Sequence, residues 1–414
     1  MADHNSAQQN NPVRHIYIIG AKSIGQYGGF ESFILNLLKH HEGDLRIHYH
    51  VACKANGSGY MDPDVLPGAV RISDDSFSYC GAECKLIHIP ESLGAAQAIY
   101  YDLRALKWVC SDIESNHISS PIVYILASRI GPFERRYVKR IHSAGGLVYQ
   151  NPDGHEDRRG KWNPIIRRYW KLSEKYAVRN ADLVICDSLN IEKYIREEYA
   201  FLHPETVFIA YGTDVRGRQE NDQKITARYN DWLKDHGLTD GQFYLSVGRF
   251  VPENNYETMI REFMASSTRR KYAVITTEDD AYAGKLQSIL NYRSDSRIVF
   301  TGTVYDRELL SCIRARAYAY IHGHEVGGTN PSLLESMGTT DLNLLYDVGF
   351  NREVAEDTAM YWSKDEGNLA ELIDRVDCMD DMAQATLGES ARLRMKEHYD
   401  WDLICAKYAE VFLR

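Results

Sequence analysis

A strand, a glycine-containing loop and an amphipathic helix are predicted at the start of the chain. The short apolar run at residues 16–19 ends at Gly20, a pattern typical of a buried parallel strand. Beyond the loop, apolar side chains recur at the spacing i, i+3, i+4, i+7 and i+8, which predicts an amphipathic helix. These helix positions are Phe30, Phe33, Ile34, Leu37 and Leu38.

The same unit returns more than 200 residues later. Residues 243–247 predict a strand that ends at Gly248, and the same helix spacing follows it. Two copies of one opening unit indicate an α/β protein with two doubly wound domains in tandem. The second set of helix positions comprises Tyr256, Met259, Ile260, Phe263 and Met264.

Alternating strands and helices are predicted between and after these units. A helix is expected at residues 164–180, and an amphipathic helix at residues 401–413. The polar, charged stretch at residues 212–240 is the expected domain boundary. The other predicted strands are residues 122–126, 147–149, 183–186, 207–210, 272–276, 297–300, 317–321 and 342–346.

Composition excludes several classes of protein. The 414 residues are 44% hydrophobic and 26% charged, as in an ordinary globular enzyme, and the net charge of −10 argues against bulk nucleic-acid binding. No apolar run reaches the ~20 residues of a membrane-spanning helix. Residues 1–13 are expected to be a flexible tail. The eight cysteines include no C-x-x-C pair, which disfavours a zinc ribbon and indicates reduced cytosolic thiols.

The loop before the first helix is a candidate binding site. Gly28 and Gly29 let the backbone come close to a ligand beside a helix N-terminus, and Glu31 could bind a hydroxyl group. A tight turn and the helix dipole explain the same residues without a ligand. The spacing is not G-x-G-x-x-G, so a nicotinamide cofactor is disfavoured.

Residues 151–157 are dense in titratable groups and follow a predicted strand. Loops at the carboxyl ends of parallel strands form the sites of α/β proteins. Asp153 and His155 are therefore candidates to bind sugar hydroxyls or to stabilise positive charge. Because Pro-Asp-Gly is also a common turn sequence, a surface turn is the alternative.

Positive charge concentrates between Gly131 and Lys175. This segment holds eleven arginines and lysines against five acids, with aromatic residues interleaved, in a chain that is acidic overall. Basic and aromatic residues together suit an anionic membrane surface or a pyrophosphate-bearing lipid. A solvated helix face is the alternative.

The stretch from His322 to Glu335 is the richest in candidate chemistry. Asn330 and Pro331 fit the N-cap and the first position of a helix. Residues 327–329 can present consecutive N–H groups to a diphosphate, and the Glu335 carboxylate could accept hydrogen bonds from ribose hydroxyls. A capped helix explains the Asn-Pro pair but not the two glycines together with two glutamates.

Arg249 follows the opening strand of the second domain. Its guanidinium could pair with a phosphate and neutralise a leaving diphosphate. An exposed arginine in a loop is the alternative.

Together these motifs resemble retaining GT-B glycosyltransferases, and more narrowly the bacterial rhamnosyltransferases of capsule and cell-wall polysaccharide synthesis. The resemblance extends over residues 14–414, and its Gly-Gly-Thr-Asn-Pro-Ser-Leu-Leu-Glu string is the more specific part. The Gly-Arg motif occurs in a much wider family. The matching segments are residues 27–31, 151–156, 247–253, 327–335, 351–354 and 401–408.

The resemblance implies two Rossmann-like domains with a cleft between them. It places an acceptor-binding domain at residues 14–215, a nucleotide-sugar-binding domain at 216–395, and a helix that crosses back to the first domain at 396–414. It also implies catalysis without a metal or another cofactor, because side chains and helix dipoles neutralise the diphosphate. The implied donor is dTDP-rhamnose, and the implied acceptor is a sugar on a lipid pyrophosphate. Such an enzyme is cytoplasmic and peripheral at the inner face of the cell membrane.

The motifs and the resemblance give an expected set of site residues without a metal ligand. The expected catalytic residues are Asp153, His155 and Arg249. The expected donor-binding residues are Gly28, Gly29, Arg249, Glu253, Glu325, Gly327, Gly328, Thr329, Asn330 and Glu335. The expected acceptor-binding residues are Tyr27, Glu31, Asp153, Glu156 and Tyr176.

The chain departs from the family pattern at two positions. The wider family has two glutamates eight positions apart, whereas here Gly327 lies eight positions before Glu335 and Glu325 lies ten before it. The wider family also has a lysine where this chain has Asn254. Phosphate neutralisation is therefore expected to depend on Arg249 and on backbone N–H groups.

Three other functions fit the same motifs. A UDP-hexose-dependent transferase differs only in its donor. A sugar-nucleotide 2-epimerase shares the two-domain fold and needs no lipid acceptor. A non-catalytic sugar-nucleotide-binding subunit binds a donor without turnover.

Overall fold

Two domains, each built around a mainly parallel sheet, form the protein. The structure, a computed structural model, describes residues 13–26, 28–158, 162–215 and 223–414. Within these residues one sheet has nine strands and the other has six, with helices packed against them. The prediction of a doubly wound α/β protein is confirmed.

The first sheet has the spatial order β3-β4-β5-β2-β1-β6-β7-β8-β9. Its pairs are parallel except for an antiparallel meander of β3, β4 and β5. The strands are β1 (Arg14–Ile19), β2 (Ile47–Lys54), β3 (Val70–Ser73), β4 (Ser76–Tyr79), β5 (Ala82–Ile87), β6 (Ile122–Leu126), β7 (Leu147–Asn151), β8 (Leu183–Cys186) and β9 (Thr206–Phe208). The accompanying helices are α1 (Gly29–His40), α2 (Gln97–Ser115), α3 (Gly131–Ser143), α4 (Pro164–Asn180) and α5 (Leu189–Glu198).

The second sheet is parallel throughout, with the order β12-β11-β10-β13-β14-β15. Its strands are β10 (Phe243–Val247), β11 (Lys271–Ile275), β12 (Ile298–Phe300), β13 (Ala319–His322), β14 (Asn343–Tyr346) and β15 (Met360–Trp362). The helices of this half are α6 (Gln223–Asp235), α7 (Tyr256–Ala265), α8 (Asp280–Leu290), α9 (Arg307–Arg316), α10 (Pro331–Met337), α11 (Gly349–Ala355), α12 (Asn368–Asp377), α13 (Asp381–His398) and α14 (Trp401–Phe412).

Each sheet reverses its strand order beside its opening strand. In the first sheet β1 lies between β2 and β6, and in the second sheet β10 lies between β11 and β13. Ligands of open α/β sheets bind at such reversals, beyond the carboxyl ends of the strands. The topology therefore places a candidate crevice at the same edge of each sheet.

The last helix, α14, packs on the first domain. Phe412 stacks on Tyr149 of β7 with ring centroids 6.3 Å apart, and the Tyr408 hydroxyl lies 3.2 Å from that of Tyr124 on β6. The chain crosses back where the Thr213 N–H donates a 2.7 Å hydrogen bond to the carbonyl of Tyr399. The apolar face of α14 thus completes the core around β1 and α1.

Within the described residues, none of the helices has the length and apolar character that crossing a bilayer requires.

Candidate functional site

A cleft of about 1370 Å³ lies between the two domains, at the carboxyl ends of both sheets. Loops that follow β1, β6, β7 and β8 form one wall, and loops that follow β10 and β13 form the other. Eleven of the predicted site residues line this cleft: Gly28, Gly29, Glu31, Asp153, Glu156, Arg249, Gly327, Gly328, Thr329, Asn330 and Glu335.

Other predicted residues lie away from this lining. Tyr27 falls outside the described residues. The described residues that the cleft lining does not include are His155, Tyr176, Glu253 and Glu325.

Two of these residues, His155 and Glu325, contact other side chains of the protein. The ring of His155 lies 4.2 Å from that of Tyr194, and burial together with Arg158 lowers the pKa of His155 to about 4. The Glu325 carboxylate forms a 2.7 Å ion pair with Lys364. Neither side chain belongs to the cleft lining.

The loop after β7 has a left-handed backbone over three consecutive residues. The φ angles of Asp153, Gly154 and His155 are 60°, 63° and 55°. Such angles are uncommon for residues other than glycine and store strain of about 1–3 kcal/mol each. A side chain at Gly154 would place its Cβ 3.2 Å from the Gly328 nitrogen, so the glycine lets the two domains approach here.

The glycine pair of the second domain permits another close approach. A Cβ at Gly328 would lie 2.1 Å from Oδ1 of Asp187, and the Thr329 hydroxyl donates a hydrogen bond to the Asp187 carbonyl. The backbone N–H groups of residues 327–329 donate no hydrogen bond to any other described residue. This loop can therefore offer three donors to an anion in the cleft.

Asn330 caps α10, as its sequence position predicts. Its side-chain oxygen accepts hydrogen bonds from the N–H groups of Ser332 and Leu333, at 2.9 and 3.4 Å. Asn330 therefore occupies these two N–H donors of the helix. An anion in the cleft would receive its hydrogen bonds from the preceding loop rather than from the end of α10.

Glu335 lies at the edge of the cleft with one oxygen held in place. Its Oε2 forms a 2.7 Å ion pair with Arg314, which is only 5% exposed, whereas Glu335 is 47% exposed. Arg314 also donates to the Ser332 hydroxyl at 3.1 Å. This pairing fixes the carboxylate and leaves Oε1 without a hydrogen bond to another described residue.

Asn254 joins two loops of the site. Its amide nitrogen donates a 2.7 Å hydrogen bond to the carbonyl of Arg249, and its oxygen lies 2.9 Å from Nδ1 of His324. The Arg249 guanidinium is exposed and makes no ion pair with a described residue. Asn254 thus positions the loop, and Arg249 supplies a positive charge to the cleft.

Three arginines that sequence reasoning missed line the cleft: Arg314, described above, Arg129 and Arg307. Arg129 follows β6 and donates to the Gly20 carbonyl at 2.8 Å, so the strand-end rule that selected Asp153 could have found it. Arg307 of the second domain donates to the carbonyl of Gly25 in the first at 2.8 Å. No local pattern signals Arg307, because its role arises from the approach of the two domains.

Burial disfavours the charged forms of two cleft residues. Burial, followed by the charges of Asp153 and Glu353, raises the pKa of Asp187 to about 8. Burial lowers the pKa of His322 to about 3. In its protonated form the Asp187 carboxyl group can donate a hydrogen bond and does not repel an anion.

Comparisons with known proteins agree with this architecture. The sequence family described as a domain of unknown function (DUF1972) matches residues 13–214. No curated protein has a significantly similar sequence.

Solved structures match both domains at once. Sucrose-phosphate synthase from Thermosynechococcus elongatus is 16% identical, with 97% of this chain and 98% of that chain covered and a TM-score of 0.72. An E. coli trehalose-6-phosphate structure bound with UDP-2-fluoro-glucose is 11% identical, with 97% and 99% covered and a TM-score of 0.68. Anabaena HepE in complex with UDP and glucose is 15% identical, with 97% and 99% covered and a TM-score of 0.67. These neighbours are glycosyltransferases, and over nearly its whole length the chain has their GT-B fold.

Proposed function

We propose that this protein is a retaining glycosyltransferase that moves a sugar from a nucleoside diphosphate to an acceptor in the cleft. One observation carries the proposal. The cleft is lined by the Arg249 guanidinium, by the backbone N–H groups of residues 327–329 and by Glu335. The guanidinium and the N–H groups have no partners among the described residues. A cation and convergent N–H groups suit a diphosphate, and a carboxylate suits the hydroxyls of a ribose.

The leaving diphosphate develops negative charge as the glycosidic bond breaks. Arg249 and the loop N–H groups are placed to stabilise that charge, which makes them the main source of rate acceleration in this proposal. Asp153 and Glu31, on the opposite wall, bind sugar hydroxyls. We assign no enzymatic nucleophile and expect the reaction to proceed without added metal.

For the donor we propose dTDP-rhamnose, supported by the resemblance of the Gly327–Glu335 motif to rhamnosyltransferases. A deoxyribose offers Glu335 only the 3′ hydroxyl. UDP-hexose is the second candidate, because solved neighbours contain UDP with glucose or UDP-2-fluoro-glucose.

For the acceptor we propose a saccharide on a lipid pyrophosphate. One side of the cleft is lined by apolar and aromatic side chains that lie just before and at the start of α4: Trp162, Ile165, Ile166, Tyr169 and Trp170. Ile165 is 82% exposed, and basic side chains lie on the same helix. Apolar surface beside positive charge suits a lipid pyrophosphate and an anionic bilayer. We therefore propose a peripheral location at the inner face of the cell membrane.

Thermal unfolding with nucleoside diphosphates, without added metal, tests the donor site. A ligand that binds only the folded chain raises its melting temperature. Selective stabilisation by the thymidine compound supports rhamnose, and selective stabilisation by the uridine compound supports a hexose. No shift with either would contradict the donor site.

A transfer assay then separates enzyme from binding subunit. The preferred nucleotide sugar is incubated with membrane extract as the source of lipid-linked acceptor, and labelled sugar is followed into the lipid phase. Donor binding without transfer favours the non-catalytic subunit. Conversion of the donor to its 2-epimer without an acceptor favours the epimerase.

A further inference from the structure

A second cluster of polar side chains lies at the amino ends of β2 and β5, at the opposite edge of the first sheet from the cleft. It consists of His48, His50 and Glu83. His48 and His50 are two residues apart on β2 and share one face of the sheet. In the register of the parallel pair, Glu83 lies beside His50. The fold therefore brings two imidazoles and one carboxylate together.

The spacing of these groups is close to that of a metal-ligand set. One oxygen of Glu83 lies 3.3 Å from Nε2 of His48, and the other lies 3.4 Å from Nδ1 of His50. One ligand atom from each of the three residues lies within 4.8 Å of the others. In tetrahedral zinc sites with bonds of about 2.0–2.2 Å, ligand atoms are about 3.3 Å apart.

The buried ring of His50 carries an unsatisfied nitrogen. Its side chain is 4% exposed, and Nδ1 has no hydrogen-bond partner among the described residues. A buried polar atom without a partner is costly, and a bound cation would satisfy it.

Surrounding side chains hold the His50 ring in this orientation. Its Nε2 lies 2.9 Å from Nδ1 of His15, and its plane stacks on Tyr17 at a centroid distance of 4.3 Å. The Tyr17 hydroxyl is fixed in turn by a 2.7 Å hydrogen bond to Asp112. Hydrogen bonds to the second nitrogen of a ligating histidine are a regular feature of metal sites.

We propose that His48, His50 and Glu83 bind a Zn²⁺ ion, with water in the fourth position. The ion would connect β2 to β5, the strand that ends the antiparallel meander at the edge of the sheet. Because this position is remote from the cleft, the proposal is independent of the function proposed above.

The test measures metal binding by the full chain rather than activity. Purified protein is stripped with a chelator, dialysed and titrated with ZnCl₂ in competition with a chromogenic chelator. The test variants are His48→Ala and Glu83→Gln, because these side chains are partly exposed and their replacement leaves the core intact. The matched control is His142→Ala, which removes a histidine paired with a single carboxylate, Asp182, at 2.9 Å.

We expect one zinc site per chain in the wild type and in His142→Ala. The affinity of His48→Ala and Glu83→Gln should fall by at least about tenfold, since each loses a ligand. Co²⁺ in the same site should give a tetrahedral visible spectrum without thiolate charge-transfer bands. Absence of zinc binding, unchanged affinity in both test variants, or thiolate bands would each overturn the assignment.

Discussion

Glu353 of the second domain accepts a 2.7 Å hydrogen bond from the side-chain amide of Asn190 in the first. The same carboxylate accepts hydrogen bonds from the Ser188 hydroxyl and the Leu189 N–H, both at 2.8 Å. It therefore satisfies the free donors at the start of α5, where the helix dipole favours negative charge. One side chain thus connects the two domains.

Removing this carboxylate should destabilise the protein. Glu353→Ala leaves several donors of α5 unsatisfied, and we expect the free energy of unfolding to fall by about 1–3 kcal/mol. Denaturant unfolding measures the change. The control is Glu410→Ala, which removes one exposed ion pair with Arg414 and should cost about 0–1 kcal/mol. Equal stability of the two variants would contradict the capping role.

Gly328→Ala should weaken binding of nucleoside diphosphates. The new Cβ would lie 2.1 Å from Oδ1 of Asp187, so the loop of residues 327–329 has to move. We expect affinity to fall by at least about tenfold, measured by calorimetry, since displaced donors lose their alignment. In the control, Gly284→Ala on α8, the Cβ meets nothing within 4 Å. Wild-type affinity in Gly328→Ala would show that the loop does not hold the diphosphate.

Asp153→Asn and Glu335→Gln should each reduce turnover by about 10²-fold without unfolding the chain, as expected for groups that position or stabilise reacting atoms. Steady-state kinetics and thermal unfolding of the same preparations separate the two effects. Glu308→Gln is the control, because Glu308 is exposed and paired with Arg228 outside the cleft. Near-normal turnover in Asp153→Asn or in Glu335→Gln would remove the substituted residue from the proposed site.

Asp187 should make stability depend on pH. Its pKa is about 8 in the folded chain, against an ordinary value of 3.8. Between about pH 4 and pH 8 the folded chain therefore holds a proton that the unfolded chain releases, and the free energy of unfolding falls as pH rises. This contribution is fully present below pH 4 and is lost as pH rises through 8.

Asp187→Asn replaces the titrating carboxyl group with an amide that does not titrate. Relative to the wild type, the variant should gain stability between pH 5 and pH 8, with a slope approaching about 1.4 kcal/mol per pH unit. Denaturant unfolding across this range measures it, with Asp231→Asn, an exposed position on α6, as the control. A stability difference that does not change with pH would contradict the buried, protonated carboxyl group.

The exposed face of α4 should contribute to membrane binding. Ile165 and Leu172 are seven positions apart on one side of the helix, and both are exposed. Replacing both by glutamate removes apolar area and adds repulsion, so co-sedimentation with phosphatidylglycerol vesicles should fall several-fold. Ile289→Glu, at an exposed position on α8, is the control. Equal loss in both proteins would argue against a specific surface on α4.

Strands and helices with strong periodicity were predictable from the sequence. The predicted bounds of β6, β8, β10 and α4 agree with the structure, because each is an uninterrupted apolar run or a clear amphipathic pattern. The antiparallel meander was not predicted. All four residues of β3 are exposed, so tertiary pairing rather than burial pattern defines that strand.

The site residues also divide into those that local sequence patterns reveal and those that only the tertiary structure brings together. Asp153, Arg249 and the glycine pair were identifiable because they follow strands, where α/β sites form. Arg314 and Arg307 lie on α9, and Asp187 acts through its contact with Gly328 of the other domain. Those relationships join residues distant in sequence, so local patterns do not contain them.

The return of α14 to the first domain determines when during synthesis the core of that domain can be completed. Ribosomes extend a chain from its amino end, and domains generally fold in that order. Here the core around β1 and α1 includes Ile404, Tyr408 and Phe412, which are translated after the whole second domain. During translation the first domain therefore exposes an apolar face until the final helix covers it. A fragment that ends near residue 214 would keep that face permanently exposed and should require chaperones to remain in solution.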